Sequence, residues 1–255
     1  MRANLGCAAW GMIHQKGVKP DSLFILFELE DVMQCVPILL PRLIRAIADE
    51  IDANAEEVTA LDQAVGDGDH VINLQRGIKA LMVQSDELAQ LDWIAAWQKI
   101  GMTLMTAVGG ASGSLYGTLF VAMSKAARER LVVGVGDRLM DLRVFAEIFS
   151  SGVDAVKLRG KADAGQKTML DVLIPVAASL KQDANDSVTL AEALNNVKQA
   201  AIAGMESTRD MLATKGRASF LEERSRGHID AGAKTSQLMI CALISVLAEQ
   251  LTAPA

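Results

Sequence analysis

Aromatic residues are scarce in this chain: one tyrosine, three tryptophans and six phenylalanines amount to 4% of 255 residues. Sheets draw much of their stability from aromatic and β-branched pairs, whereas the abundant Ala, Leu and Met favour helices, so the composition favours helix over strand and puts an all-α fold ahead. Cysteine is equally thin. Cys7, Cys35 and Cys241 are odd in number, far apart and without a CxxC spacing, which supports neither a disulfide framework nor a zinc site and predicts a reducing, cytoplasmic setting. Basic surplus is absent, since 25 Lys and Arg stand against 31 Asp and Glu for a net charge of −6, and this argues against a nucleic-acid partner. The longest apolar run, Leu238–Leu247, contains Ser245 and is too short for a membrane span, and the opening residues lack a basic stretch followed by an apolar one. No membrane partner is expected.

What is present is a helical period. From Val36 onward apolar residues recur in pairs, Leu39/Leu40, Leu43/Ile44, Ile47/Ala48 and Ile51, with Pro37 and Pro41 near the start, where proline does least harm. Further helices are predicted near Ile72–Met82, Trp93–Thr106, Leu115–Glu129, Leu139–Lys157, Thr168–Leu180, Thr189–Leu212 and Ala233–Leu251. The sum is an eight-helix up-and-down barrel or bundle, with Pro175 expected to kink one member or cost it a hydrogen bond. Residues 1–32 carry scattered glycines and no sustained period, and are read as an N-terminal extension to a single domain over 33–255.

Four connections break the helical pattern: Asp62–Asn73, Val108–Gly113, Arg159–Lys167 and Thr214–Gly232. In an up-and-down bundle alternate connections lie at one end, so these could share a site. The first holds Asp62, Asp67 and Asp69 with Gly66 and Gly68 between them. Hard carboxylate oxygens at that density suit Mg²⁺ or Ca²⁺ rather than zinc, and an acidic, solvated turn is the plain alternative. Gly109–Gly113 precedes a strong helix and offers free amide groups to an anion, or else is a Gly-rich turn capped by Ser112. The basic stretch Lys215–Asp230 is long enough to close over phosphates, with Arg217 its foremost candidate, and it reads equally as a mixed-charge loop balanced by Glu222 and Glu223.

Taken in order, these segments resemble the L subunit, or L domain, of the dihydroxyacetone kinase family. The resemblance rests on Leu61–His70 with Asn73 and Arg76–Gly77, on Gly101–Gly113 continuing through Leu115–Phe120, on Gly160–Asp171 with Ile174–Pro175, and on Lys215–Gly232. It implies an eight-helix barrel with nucleotide, ADP or ATP, bound at one rim. Mg²⁺ would be held by Asp62, Asp67 and Asp69, and nucleotide would be contacted by His70, Asn73, Gly110, Ala111, Ser112, Gly160, Met169, Arg217, Asp230 and Gly232. Arg217 would stabilise charge during transfer. The resemblance also implies a separate K-type subunit that holds the ketose, and it leaves open ATP against a phosphotransferase-system phosphocarrier protein as donor, and a homodimer as assembly.

Four positions depart from the family pattern: Val71 stands for a glycine, Ser114 and Ala231 for prolines, and Gln166 for an aspartate. None removes a metal ligand. They admit a paralogue acting on a related ketose such as a tetrulose. An ADP-loaded regulatory adaptor without turnover is the reading from another class.

Overall fold

Leu40, Leu43, Ile44, Ala48 and Ile51 fall on one stripe of Leu40–Ala53, all five are buried, and Pro41 occupies the first turn, where no amide is needed. This helix, α1, is the first long element of a computed structural model that describes residues 36–132, 141–186 and 188–252. It is followed by α2 (Ala55–Val65), α3 (His70–Val83), α4 (Trp93–Ala107), α5 (Gly110–Val132), α6 (Leu142–Gly160), α7 (Leu170–Asp186), α8 (Leu190–Ser207) and α9 (Ala231–Thr252). A one-turn helix, Ser85–Leu88, and 3₁₀ segments at Val36–Leu39, Thr208–Asp210 and Arg217–Ser225 complete the described elements, among which there is no strand. The reading of residues 1–32 as an extension lies outside the described residues.

Eight of the nine long helices form a closed ring. Helices α3 to α9 each pack on the next in chain order, α9 packs back on α1, and α1 packs on α3. The ninth, α2, was not anticipated as a helix. It lies across one end of the ring against α9, α3 and the Arg217–Ser225 segment, so only Val58 and Val65 of its eleven residues are buried. Caps define several starts. Asp92 accepts from the Ala95 amide at 2.8 Å, Asp141 from Arg143 at 2.9 Å, and Thr189 with Glu192 forms a reciprocal capping box at α8.

Close approaches use glycine. A Cβ on Gly101 of α4 would stand 2.8 Å from the Gly117 carbonyl of α5, and one on Gly117 would stand 2.8 Å from the Gly101 carbonyl, so the two helices cross in backbone contact. Helix α7 runs through Pro175. The proline cannot donate to the carbonyl four residues back, that of Asp171, and Gly204 of α8 is seated against this oxygen where any side chain would collide.

Helix α9 is long and apolar enough to cross a membrane by length and composition, yet half of that stretch is buried within the ring. Helix α8 ends at Ser207, short of the anticipated Leu212, because the chain turns through Thr208–Asp210 into the basic connection. The connections α2–α3, α4–α5, α6–α7 and α8–α9 are alternate ones, and residues of all four line a single cleft.

Candidate functional site

The cleft has a volume of about 390 Å³ and opens at the end of the ring where α3, α5, α7 and α9 begin. Four helix N-termini therefore face one space with the positive ends of their dipoles, although at α7 the first amides are already taken up by Thr168 and Met169. All thirteen residues singled out from the sequence line it: Asp62, Asp67, Asp69, His70, Asn73, Gly110, Ala111, Ser112, Gly160, Met169, Arg217, Asp230 and Gly232.

The carboxylates are brought together by the turn between α2 and α3. Asp62 sits on the last turn of α2, its carbonyl accepting the Gly66 amide and its side chain accepting the His70 amide at 3.1 Å, so it folds the turn back on itself. Gly66 passes so near the Asp62 carboxylate that a Cβ would overlap it, and Gly68 takes φ of +77°. Carboxylate oxygens of Asp62, Asp67 and Asp69 all lie within 4.8 Å of one another. Asp69 occupies the N-cap position of α3 without bonding any amide of that helix, which leaves its oxygens directed elsewhere. Three like charges so close suit a hard cation. Arg217 reaches across to pair with Asp67, as the one cationic partner of the triad among the described residues.

His70 is a linker rather than a free base. Its Nε2 lies 2.9 Å from Thr235 Oγ1 and its Nδ1 3.2 Å from Ser112 Oγ. Because Thr235 already donates to the Gly232 carbonyl at 3.2 Å, it accepts from Nε2–H, and Nδ1 then accepts from Ser112. Burial pushes the ring below its usual value although Asp62 and Asp69 pull the other way, consistent with a neutral imidazole. Tyr116, buried, extends the network: its hydroxyl donates to Ser236 at 2.9 Å, and Ser236 donates to the Gly232 carbonyl at 2.7 Å. Burial raises the phenol above its ordinary value. The ring of His70 thus ties the N-termini of α3, α5 and α9 to one another.

The phosphate-cradle candidate is tighter than a loop. Only Val108 and Gly109 separate α4 from α5, and Gly110 to Gly113 form the first turn of α5, with Gly110 at φ of +67°. A Cβ on Gly113 would overlap the Val108 carbonyl, so the turn closes only with glycine there. On the far wall, Gly160 ends α6, Met169 is buried ahead of α7, and Asp230 caps α9 by accepting the Ala233 amide at 2.7 Å.

Several participants were not singled out from the sequence, although Tyr116, Lys167 and Asp171 lie within the segments that carry the resemblance. Lys167, Asp171, Tyr116, Thr235 and Ser236 are all buried polar residues around the cleft. Asp171 accepts from the amides of Gly165 and Thr168, the latter at 2.7 Å, and so shapes the α6–α7 connection. Among the four departures, Val71 sits buried in α3 without a positive φ, so no special backbone is needed where the family has glycine. Ser114 accepts from Arg159 Nε at 2.7 Å, Gln166 accepts the Asp163 amide at 3.0 Å, and Ala231 simply begins α9.

A family model described as the DAK2 domain matches residues 64–245. The ADP-binding subunit DhaL of the PEP-dependent dihydroxyacetone kinase 1 of Listeria innocua is 38% identical over 203 residues, covering 80% of this chain and 93% of that subunit. The chain belongs to the DhaL family. The DhaL subunit of the PEP-dependent enzyme of Escherichia coli (strain K12) is 37% identical over 202 residues, covering 79% of this chain and 92% of its own. Among solved structures, the dihydroxyacetone kinase of C. freundii in complex with AMP-PNP and Mg²⁺ shares the fold, with a TM-score of 0.61 and 24% identity over 82% of this chain. That enzyme is a longer protein, of which this DhaL relative spans 34%.

Proposed function

We propose that this chain is the nucleotide-binding, phosphoryl-handling subunit of a dihydroxyacetone-type kinase, acting in the cytoplasm with a separate K-type subunit that holds a small ketose. The observation that carries the reading is the meeting of three carboxylates, within 4.8 Å of one another, with four helix N-termini in one cleft. Carboxylates alone would call for a cation and N-termini alone for an anion. A metal-complexed phosphate answers both demands. The relatives of nearly equal length are named ADP-binding subunits of PEP-dependent kinases, which favours ADP that stays bound and is recharged by a phosphocarrier protein over ATP that is consumed and exchanged.

The carboxylates of Asp62, Asp67 and Asp69 fit Mg²⁺ by donor chemistry and spacing, and the ion they would hold would supply positive charge against a phosphate. The chain's own groups do the remainder. Amides at the start of α5, Gly110 to Ser112, bind phosphate oxygens at a dipole's positive end. His70, held from both sides, keeps the Ser112 hydroxyl and the turn of α3 in place and moves no proton itself. Arg217, carried on the connection above Asp67, turns its guanidinium to the charge that develops on the transferring group, whose acceptor is a hydroxyl of the ketose on the partner. Positioning and charge suffice in this chemistry, so no general base is required of this subunit.

The test is reconstitution with a K-type subunit, offering ATP or a phosphorylated carrier protein as donor and dihydroxyacetone or four-carbon ketoses as acceptor. Asp67→Asn should abolish Mg²⁺-dependent ADP retention and phosphotransfer together. If both survive that substitution, the metal assignment is wrong; ADP retention without turnover by any pairing would mark an adaptor.

A further inference from the structure

Lys167 has 1% of its surface exposed, a rare position for an ammonium group, which must find partners where it is buried. Its Nζ donates to the backbone carbonyls of Thr208 and His228, and the Arg209 carbonyl stands 3.4 Å away. Three protons meet three oxygens. Those oxygens belong to the two ends of the connection between α8 and α9: Thr208 and Arg209 where α8 gives out, and His228 just ahead of Asp230, which caps α9. Two further bonds close the same base, a backbone one from the Gly227 amide to the Arg209 carbonyl at 2.8 Å and one from the Asp230 amide to the Thr208 hydroxyl at 3.0 Å.

Lys167 is itself held firmly. It takes φ of 60°, a region that disfavours side chains, and its neighbour Thr168 is fixed by the buried Asp171 carboxylate at 2.7 Å. Between the stapled ends the connection carries Lys215 and Arg217 out to the cleft, where Arg217 meets Asp67.

We propose that Lys167 is a positioning residue for phosphoryl transfer: its buried ammonium staples both ends of the 208–230 connection to the start of α7 and so sets where Arg217 stands above the carboxylates. The inference rests on the proposed function only in taking Arg217 to meet phosphate. The staple itself can be judged without nucleotide.

In the full chain, Lys167→Met keeps the length of the side chain and removes every donor, whereas Lys167→Gln keeps two. With the helical circular dichroism unchanged, tryptic cleavage after Lys215, Arg217 and Arg224 should rise about tenfold in the methionine variant and less in the glutamine variant, because cleavage follows the population of the opened segment. Mg·ADP affinity should fall about tenfold for Lys167→Met, but by less than about twofold when Arg217→Ala is already present, since the effect passes through Arg217. With the K-type subunit added, kcat should fall while the KM for ketose holds.

Unchanged cleavage in a folded Lys167→Met variant overturns the proposal, as does an equal loss of affinity in both backgrounds, which would mark a purely structural lysine. If neither variant folds, hydrogen exchange in the unaltered chain decides: Gly227 and Asp230 amides protected like those of α8 support the staple, and exchange as fast as at Arg217 refutes it. Should the unaltered chain retain no nucleotide, the proposed function fails while cleavage and exchange still judge the staple.

Discussion

Replacing Asp230 with asparagine should change how stability depends on pH while leaving the start of α9 in place. Burial pushes the Asp230 carboxyl up from an ordinary 3.8 to about 6; the Ala233 amide and the Lys167 ammonium oppose this, and the charges of Asp171 and Asp62 add to it. Between those values the folded chain holds a proton that the unfolded chain has released. The group therefore favours the fold at low pH, with its contribution fully present below about pH 4 and lost as pH rises through about 6. The interval from 3.8 to about 6, at about 1.36 kcal/mol per pH unit, corresponds to about 3 kcal/mol. Asparagine cannot ionise, yet its carbonyl can accept the same Ala233 amide and caps a helix as well as aspartate does. Urea midpoints of both proteins, measured from pH 4 to pH 7 with chelator and no nucleotide, should converge or cross as the unaltered chain weakens relative to the variant. A difference that stays flat to within about 0.5 kcal/mol, or that moves in favour of the unaltered chain with rising pH, refutes the burial argument.

Gly113→Ala should cost about 1–3 kcal/mol of stability and weaken ADP retention, because its Cβ meets two immovable carbonyls, Val108 and, at 3.0 Å, Leu104. A thermal midpoint equal to that of the unaltered chain would contradict the tightness of the α4–α5 turn. Arg217→Ala should lower phosphotransfer by about 10² or more while leaving Mg²⁺ affinity in the absence of nucleotide equal or higher, since the guanidinium no longer competes for Asp67. Calorimetric titration with Mg²⁺ alone checks the second half, and weaker metal binding would show that Arg217 supports the triad instead of opposing it.

Helix content was legible because the ring buries one face of each helix, and a buried face leaves a period in the sequence. Where burial is different in kind, the signal fails. Helix α2 is only eleven residues long and buries only Val58 and Val65; Val58, Leu61 and Val65 do recur at helical spacing, but so short a run leading into the Asp- and Gly-rich turn does not stand out as a helix. Asp62 consequently read as the start of a connection, although it sits on the last turn of α2. The aspartate triad was visible because three carboxylates around two glycines serve no packing purpose. Lys167 was not, since a lysine in a Gly-, Asp- and Gln-rich stretch reads as solvated until the fold shows three carbonyls closing on its Nζ. Thr235 and Ser236 were hidden for the opposite reason: they interrupt the apolar face of α9 only where it meets the cleft, and their partners, His70 and Tyr116, are more than a hundred residues away.

Charge at the cleft implies a linkage between its two ligands. Four helix N-termini contribute about half a positive charge each, roughly +2 in all, against three carboxylates. A phosphate entering alone gains the dipoles but faces the aspartates, and a cation entering alone gains the aspartates but faces the dipoles. Entering together, each screens the other's repulsion, so Mg²⁺ should raise ADP affinity and ADP should raise Mg²⁺ affinity by the same factor, a coupling of about 1–3 kcal/mol or about 5- to 150-fold. Titrations in both orders measure the two factors independently. Equal factors well above one match this arrangement of charge; two ligands that bind without affecting each other would mean that the carboxylates and the helix ends do not serve one site.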